Sequence, residues 1–336
     1  MEGYVLSRNI EGEKFMNEIV GDVLVRDFRK SDLNDLLDVA RLSFAEEFEV
    51  TGFDPDHAKK MADQMFGIAG RIFLAFSKLF GKEPVKFLVA EVNNRVVGTT
   101  MVTKRGRVGY ISTVMVHPTY RRKGIARKLM ENAIDYVQKR KMKRAVLHVM
   151  STNVPAKSLY TKLGFKESEK IAYLVGNVDS FSKPENVEGI QIRSFQKNDI
   201  DAVYELIKSS EDPRHLEIFD VKKKDLKTPF VERVFHFFTE NKTVALYDNS
   251  IIGYAQTIYT TANEAGQIRN VQVHPGMRSK GIEEMLIYSG INEIRKVGTK
   301  KVLGTVSLKR PELIAAMRQL GFEKHLEMEG MVLEPL

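Results

Sequence analysis

The stretch Val114-Met115-Val116-His117-Pro118-Thr119-Tyr120-Arg121-Arg122-Lys123-Gly124-Ile125-Ala126-Arg127-Lys128-Leu129-Met130 decides how the first half of this chain folds. Its apolar residues Val114 and Val116 alternate with others, which predicts a strand, and Pro118 ends that strand because proline cannot donate to a β ladder. After a basic turn, apolar residues recur at a helical period from Ile125 onward. The sequence therefore predicts a strand, a basic turn and a helix in immediate succession.

This strand–turn–helix unit has the features of an anion-binding site. The first N–H groups of a helix have no partner within the helix, and the helix dipole favours negative charge there. Gly124 and Ala126 carry little or no side chain, so a phosphate can approach the backbone closely. The alternative is an ordinary basic turn that binds nothing.

The run from Arg121 to Ala126 matches the pattern Arg/Gln-x-x-Gly-x-Gly/Ala. Preceded by Val-x-Val-x-Pro and followed by Leu163-Gly164-Phe165, it resembles the pyrophosphate loop of the GNAT family of N-acetyltransferases, which bind acetyl-CoA. The resemblance implies that two groups of residues contact this cofactor. The strand residues Val114, Met115 and Val116 would bind the pantetheine arm and thioester. The loop residues would hold the pyrophosphate, chiefly through backbone N–H groups; they are Arg121, Arg122, Lys123, Gly124, Ile125, Ala126 and Arg127.

The same pattern occurs twice in the chain. Residues 25–33 are echoed by residues 192–200, and residues 114–118 by residues 271–275. From residue 114 onward each counterpart lies 157 residues later, including the Leu-Gly-Phe run. An internal duplication predicts two copies of one structural unit. The order of the predicted elements over residues 22–175 resembles one GNAT fold.

The predicted fold class is α/β with a mixed (α+β) sheet, as two GNAT folds in tandem. Each copy is expected to be a mostly antiparallel, centrally splayed sheet flanked by helices, and residues 166–175 are expected to complete the first sheet. Ser31 is expected to cap the first helix. The predicted organisation is an N-terminal extension, a GNAT domain with the acetyl-CoA site, a polar linker and a degenerate GNAT-like domain, over residues 1–21, 22–176, 177–189 and 190–336.

The segment from Asn153 to Phe165 resembles the catalytic segment of the N-terminal protein acetyltransferases of the RimI type. By resemblance, Asn153 would contact CoA and Tyr160 would act as general acid beside the sulfur. That subgroup often has a glutamate base five residues before the asparagine, where this chain has His148. An imidazole titrates near neutrality and could serve as base. The alternatives are a core tyrosine, a structural histidine, and a base that acts through water.

The second copy lacks the residues expected to bind CoA and to catalyse transfer. Glu283 stands in place of Ala126 and would repel a pyrophosphate. The counterparts of Asn153, Tyr160 and His148 are Arg310, Met317 and Thr305. We therefore expect one acetyl-CoA site, in the N-terminal copy, and a second copy without CoA.

Composition limits the classes of protein to consider. The chain has 336 residues, a net charge of +8 and no cysteine, so it can form neither disulfides nor thiolate metal sites. The sequence shows no metal-ligand cluster, no apolar run long enough to span a membrane and no signal peptide, so a cytoplasmic protein is the default expectation. The basic residues are scattered, which argues against nucleic-acid binding.

Two stretches could belong to an acceptor site. Residues 45–56 are acidic and could attract a cationic acceptor, or form an exposed loop. Residues 61–79 carry a helical stripe of apolar residues with two methionines, which favours core packing over an acceptor pocket.

The leading hypothesis is an acetyl-CoA-dependent N-acetyltransferase whose partner is an amine, either a cationic small molecule or a protein amino group. The tandem arrangement, shared with mycothiol synthase, slightly favours a small molecule. The alternative is a non-catalytic acyl-CoA sensor or adaptor, which the missing glutamate would permit. The sequence does not indicate an oligomeric state.

Overall fold

The computed structural model describes residues 23–43, 85–227, 239–259 and 265–336. The predicted N-terminal extension, the acidic stretch 45–56 and the apolar stretch 61–79 lie outside these ranges. The interpretations given above for those stretches therefore stay predictions.

The described strands follow the order in which the sequence predicts them. Their bounds are β1 Leu24–Asp27, β2 Val85–Val92, β3 Arg95–Arg105, β4 Val108–Val116, β5 Arg144–Met150, β6 Lys166–Asn177, β7 Ile190–Ser194, β8 Thr239–Tyr247, β9 Ser250–Tyr259, β10 Ala265–Val273, β11 Lys301–Ser307 and β12 Glu323–Leu333.

The described helices lie between some of these strands along the chain. Their bounds are α1 Leu33–Ser43, α2 Ile125–Lys139, α3 Val154–Lys162, α4 Ile200–Ser210, α5 Pro213–Ile218, α6 Ile282–Lys296 and α7 Pro311–Leu320. Short 3-10 turns precede α1 and α4 and follow β4 and β10, so that both repeats share their turns as well as their helices.

The chain forms two compact units. Within the described residues, the first unit extends to Leu147 and includes Leu333–Leu336, and the second unit is His148–Val332. The division falls inside β5 and β12, so the compact units and the sequence repeats are not the same segments.

The sheet of the first unit has the order β1-β2-β3-β4-β5. Neighbouring strands from β1 to β4 are antiparallel. β5 pairs parallel to β4, but only Val108–Tyr110 pair, with Arg144–Val146. β4 runs on to Val116, so the two strands separate after their first three pairs. The expected mixed sheet with a splay at its centre is confirmed.

The sheet of the second unit repeats this plan in the order β12-β6-β11-β10-β9-β8-β7. β10 and β11 are parallel and pair only over Ala265–Ile268 and Lys301–Gly304. β6, which belongs to the first sequence repeat, pairs antiparallel with β11 and with β12. The expectation that β6 completes the first sheet is therefore wrong, because its partners come from the second repeat.

The duplication is visible in individual hydrogen bonds. Arg26 binds Asp32 at 2.7 Å, and its counterpart Arg193 binds Asp199 at 2.6 Å. The expectation for Ser31 is wrong, since α1 begins at Leu33 and Asp32, not Ser31, accepts the backbone N–H of Arg29 at 2.6 Å. A carboxylate at this turn neutralises an arginine and satisfies an amide at once.

The helix that follows β4 is held by an apolar stripe. Ile125, Leu129, Ala133 and Val137 are fully buried, and α2 packs on β3 and β4. A spacing of four residues places side chains on one face of a helix. The stripe therefore fixes the N-terminus of α2 directly after the β4 turn.

Candidate functional site

The loop after β4 presents backbone amides in a concave turn. Arg122 and Gly124 have φ angles of 66° and 75°, and left-handed residues in a turn direct successive N–H groups to one side. α2 begins at Ile125, and its first hydrogen bond joins the Lys128 N–H to the Gly124 carbonyl at 3.0 Å. The amides of Ile125, Ala126 and Arg127 precede this bond, as an anion site requires.

No described residue fills the space beside Gly124. A Cβ added at Gly124 would meet no described atom within 4 Å. The guanidinium of Arg121 donates from Nε to the Val116 carbonyl at 3.1 Å, which ties the loop to the end of β4. Of the other basic side chains here, Arg122 and Arg127 are exposed and Lys123 is half-buried.

The end of β4 directs some backbone groups away from β3. The N–H of His117 donates to the Val97 carbonyl of β3 at 2.8 Å. Because backbone groups alternate along an antiparallel strand, those of Val116 point to the opposite side, toward the splay. Thr113 has a φ of 58°, and the β3–β4 register shifts beside it. This bulge changes the direction of the strand just before Val114 and Met115.

Helix α3 positions Asn153 and Tyr160. Asn153 caps the helix, and its Oδ1 accepts the N–H of Ala156 at 3.1 Å. Tyr160 is only 5% exposed and packs against Phe165, with 6.1 Å between ring centroids. Burial raises the pKa of Tyr160 to about 12, so its phenol remains a proton donor at neutral pH. The predicted end of this helix is confirmed, since Gly164 follows with a φ of 92°.

His148 lies at the end of β5 and is held by a carboxylate. Its Nε2 is 3.0 Å from Oε1 of Glu169 on β6. The other oxygen of Glu169, Oε2, is 2.9 Å from Nδ1 of His215 on α5. The ring of Phe219 stacks on His148 with 6.1 Å between centroids. His148 therefore belongs to a cluster that also includes Glu169, His215 and Phe219.

Sequence reasoning missed this cluster apart from His148. Glu169 follows His148 by 21 residues and precedes His215 by 46. No local periodicity joins positions so far apart, and β6 was expected to pair within the first repeat. Pairing of β6 with the second repeat was the missing information.

The corresponding loop of the second repeat has the same backbone shape but different contents. Ser279 and Gly281 have φ angles of 59° and 85°. Glu283 is 1% exposed, and its Oε1 accepts the Ser279 N–H at 3.4 Å. Burial raises the pKa of Glu283 although backbone N–H groups and Arg310 oppose the shift. A Cβ at Gly281 would lie 3.0 Å from Val187.

Buried polar side chains also bond to one another in the second repeat. Gln272, the counterpart of Met115, accepts from Ser210 Oγ at 2.8 Å and from Arg310 Nη1 at 3.3 Å. Its amide donates to Glu211 at 2.7 Å. Gln272, Arg310 and Ser210 are all buried. A network therefore surrounds a position that is apolar in the first repeat.

Comparison with protein-family models gives one match on each repeat. The model of the acetyltransferase (GNAT) family matches residues 43–165 and residues 200–322, which together make up most of the chain. The chain belongs to the GNAT acetyltransferase family. Each match ends at the Leu-Gly-Phe run of its repeat.

Curated relatives match one part of this GNAT chain. An uncharacterized N-acetyltransferase of Methanocaldococcus jannaschii is 29% identical over 155 residues, which cover 44% of this chain and 62% of that protein. A mycothiol acetyltransferase of Tsukamurella paurometabola is 31% identical over 143 residues, which cover 41% and 46%. The chain thus spans less than two thirds of the length of these relatives.

Solved structures match both GNAT repeats together. A tandem GNAT protein from the clavulanic acid biosynthesis pathway has a TM-score of 0.66 at 17% identity, covering 94% of this chain and 99% of that one. A GNAT protein from Sphaerobacter thermophilus has a TM-score of 0.65 at 18% identity, covering 93% and 95%. At such identities the likeness shows that the tandem fold is shared.

The described part of this GNAT chain lacks two further features. No helix there is both long and apolar enough to cross a bilayer. No group of three or more histidine and carboxylate side chains within those ranges could hold a metal ion.

Proposed function

We propose that this GNAT protein transfers an acyl group from acetyl-CoA to an amine and that its working site is in the N-terminal repeat. One observation carries the proposal. Among the described residues, none bonds to the first-turn amides of the loop in the first repeat, and none lies within 4 Å of a Cβ added at Gly124; that cradle fits the diphosphate of an acyl-CoA.

The donor would be held mainly by backbone groups. Residues of β4 would bind its pantetheine arm, and the loop would bind its diphosphate: Val114, Met115 and Val116, then Arg121, Arg122, Lys123, Gly124, Ile125, Ala126 and Arg127. Asn153 would contact the donor beside its cap at Ala156. The direction of the Val116 backbone groups, away from β3, supports this role for the strand.

Transfer to an amine sets demands that the chain's side chains would meet. An amine with a pKa near that of lysine is about a thousandfold protonated at neutral pH and must lose a proton before it attacks. His148 is proposed to take that proton. The donor, when bound, supplies an activated acyl carbon. Tyr160 is proposed to give a proton to the departing thiolate, and its raised pKa keeps the phenol protonated until then.

The second repeat is proposed to be free of CoA. Glu283 fills its own loop with a carboxylate, and Val187 covers Gly281, whereas no described atom covers Gly124 in the first repeat. A diphosphate there would meet a like charge in a buried place. The network around Gln272 and Arg310 supports a structural role for this repeat.

The acceptor is proposed to be a cationic amine, either a small molecule or a protein amino group. Two kinds of relative bear on this choice. One relative is a mycothiol acetyltransferase, and the tandem fold is shared with a protein from the clavulanic acid biosynthesis pathway. The name of the first relative favours a small molecule over a protein.

The test combines binding with turnover. Calorimetric titration with acetyl-CoA should give one site per chain, and mixing with a panel of polyamines, amino sugars and peptides should release CoA thiol with at least one of them. Two equal sites per chain would overturn the assignment of the working site. Binding without thiol release across small-molecule and peptide amines would favour an acyl-CoA sensor instead.

A further inference from the structure

The carboxylate of Glu169 is shared by two histidines within the second compact unit. Oε1 faces His148 at 3.0 Å and Oε2 faces His215 at 2.9 Å. The side chains of Glu169 and His148 are 11% and 12% exposed, and that of His215 is 33% exposed. Both oxygens of one half-buried acid thus bond to imidazoles.

The ionisation of Glu169 decides which ring nitrogens carry protons. Burial opposes its negative charge, yet the hydrogen bonds from His148 and His215 lower the pKa of Glu169 to about 2. An ionised carboxylate only accepts hydrogen bonds. Nε2 of His148 and Nδ1 of His215 must therefore be the protonated nitrogens. In neutral His148 the lone pair then lies on Nδ1.

Phe219 restricts the orientation of both rings. It stacks on His148 at an interplanar angle of 9° and lies 4.5 Å from the His215 ring centroid at 35°. His215 and Phe219 come from α5 and the residue that follows it. A ring that is held on one face and hydrogen-bonded at one edge has little freedom to turn. The imidazole of His148 is thus fixed before any substrate arrives.

His215 sits among charges that favour its protonation. Burial opposes the imidazolium, but Glu169, Glu211 and Asp212 outweigh it and raise the pKa of His215. Lys309, from the loop after β11, pairs with Asp212 and lies near Glu169, and Arg214 lies next to His215 on α5. When His215 gains its proton, it takes a larger share of the negative charge of Glu169. The support left for a positive charge on His148 then falls.

We propose that Glu169 is a positioning residue that fixes the tautomer of His148, and that His215 adjusts the basicity of His148 through the same carboxylate. The kinetic part of this inference rests on the proposed function, in which His148 takes a proton from the amine. That proton moves from the amine nitrogen to Nδ1 of His148, while the Nε2 proton stays between His148 and Glu169. The proton is later released to solvent.

The tautomer can be tested without any turnover. In the full chain with ¹⁵N-labelled histidine, NMR should report His148 protonated on Nε2. Glu169→Gln should shift His148 toward a mixture of tautomers. Glu329→Gln is the matched control, because Glu329 is another buried carboxylate of this unit and pairs with Lys157 at 2.7 Å. An unchanged His148 spectrum in Glu169→Gln overturns the proposal.

The pH dependence of turnover tests the role of His215. His215→Asn removes the competing positive charge, so the acid limb of kcat/KM should move to higher pH by about half a unit. Glu169→Gln should move that limb to lower pH and reduce kcat about tenfold or more, with KM for acetyl-CoA unchanged. Glu169→Asp should recover part of the lost kcat.

Two failures can be told apart. If the wild-type chain releases no CoA thiol with any amine, the proposed function fails while the NMR result still decides the role of Glu169. If turnover is robust but His215→Asn leaves both the acid limb and the His148 titration unmoved, the coupling through Glu169 is wrong and the proposed function stands.

Discussion

The loops after β4 and β10 share one backbone conformation, but different side chains lie over them. Both turns place a left-handed non-glycine residue two positions before a left-handed glycine, Arg122 before Gly124 and Ser279 before Gly281. In the first loop no described side chain lies over the glycine, whereas in the second loop Glu283 and Val187 occupy that space. The comparison teaches that a cradle of amides makes a binding site only where the chain's own side chains leave it empty.

The largest expected effect is the loss of turnover when Tyr160 is replaced, compared with replacement of its counterpart Met317. Tyr160→Phe removes the proton donor for the leaving thiolate, and kcat should fall about 100-fold or more while acetyl-CoA affinity is kept. Thiol release by stopped-flow would measure it. Because burial raises the pKa of Tyr160 to about 12, the wild-type rate should show no alkaline limb from this group below about pH 10.

Met317→Leu is the control, since it changes a buried residue of similar volume in the second repeat. Its turnover should stay within about twofold of wild type. Equal losses in Tyr160→Phe and Met317→Leu would mean that the two repeats do not differ in the way proposed.

The next effect comes from moving the carboxylate of the second loop into the first. Ala126→Glu places a negative charge at the start of α2, where the diphosphate would bind. Affinity for acetyl-CoA should fall by about 30-fold, roughly 2 kcal/mol, in calorimetric titration. Ala126→Gln, with the same size and no charge, should lose much less. Identical losses would assign the effect to bulk rather than to charge.

A smaller effect concerns the stability of the second repeat. The pKa of Glu283 is raised in the folded chain, so folding is favoured below its ordinary pKa of 4.5 and this advantage is lost as pH rises through the raised value. Glu283→Gln should therefore raise Tm by about 2 °C at pH 8. The gain should shrink as the pH approaches 5. A lower Tm at pH 8 would show that the charged carboxylate stabilises the loop.

The smallest effect is the reopening of the second loop. Glu283→Ala combined with Val187→Ala should create weak binding of inorganic pyrophosphate, with a Kd on the order of millimolar. Phosphorus NMR on the chain that also carries Ala126→Glu would isolate this site from the first. No binding would mean that the network around Gln272 and Arg310 closes the second repeat independently of Glu283.

Features set by neighbouring residues were predictable from the sequence. The turn at Pro118, the helix with Ile125 and Leu129, and the cap at Asn153 follow from local spacing and cap chemistry. Ser31 was misjudged because Asp32, one position on, competes for the same turn and binds Arg26 as well. Local rules do not decide between Ser31 and Asp32, because the choice depends on the ion pair that Asp32 forms with Arg26 on β1.

Contacts between distant segments were not predictable. Sequence reasoning noted that His148 stands where related enzymes have a glutamate, but it did not find a replacement carboxylate. Glu169 on β6 places a carboxylate beside His148, and the partners of β6 could not be inferred from periodicity. The cover that Val187 places over Gly281 was missed for the same reason, since a polar linker gives no signal of packing.

The pairing of β6 with β11 has a consequence for the history of the chain. A gene duplication yields two copies that can initially be separated, but here the last strand of the first repeat is part of the sheet of the second repeat. If the first repeat were removed by cutting the chain after Asn177, β11 would lose its neighbour β6. The backbone amides and carbonyls along that edge of β11 would then be exposed. The second repeat can lose its catalytic residues and still be retained, because the last strand of the first repeat needs it as a partner.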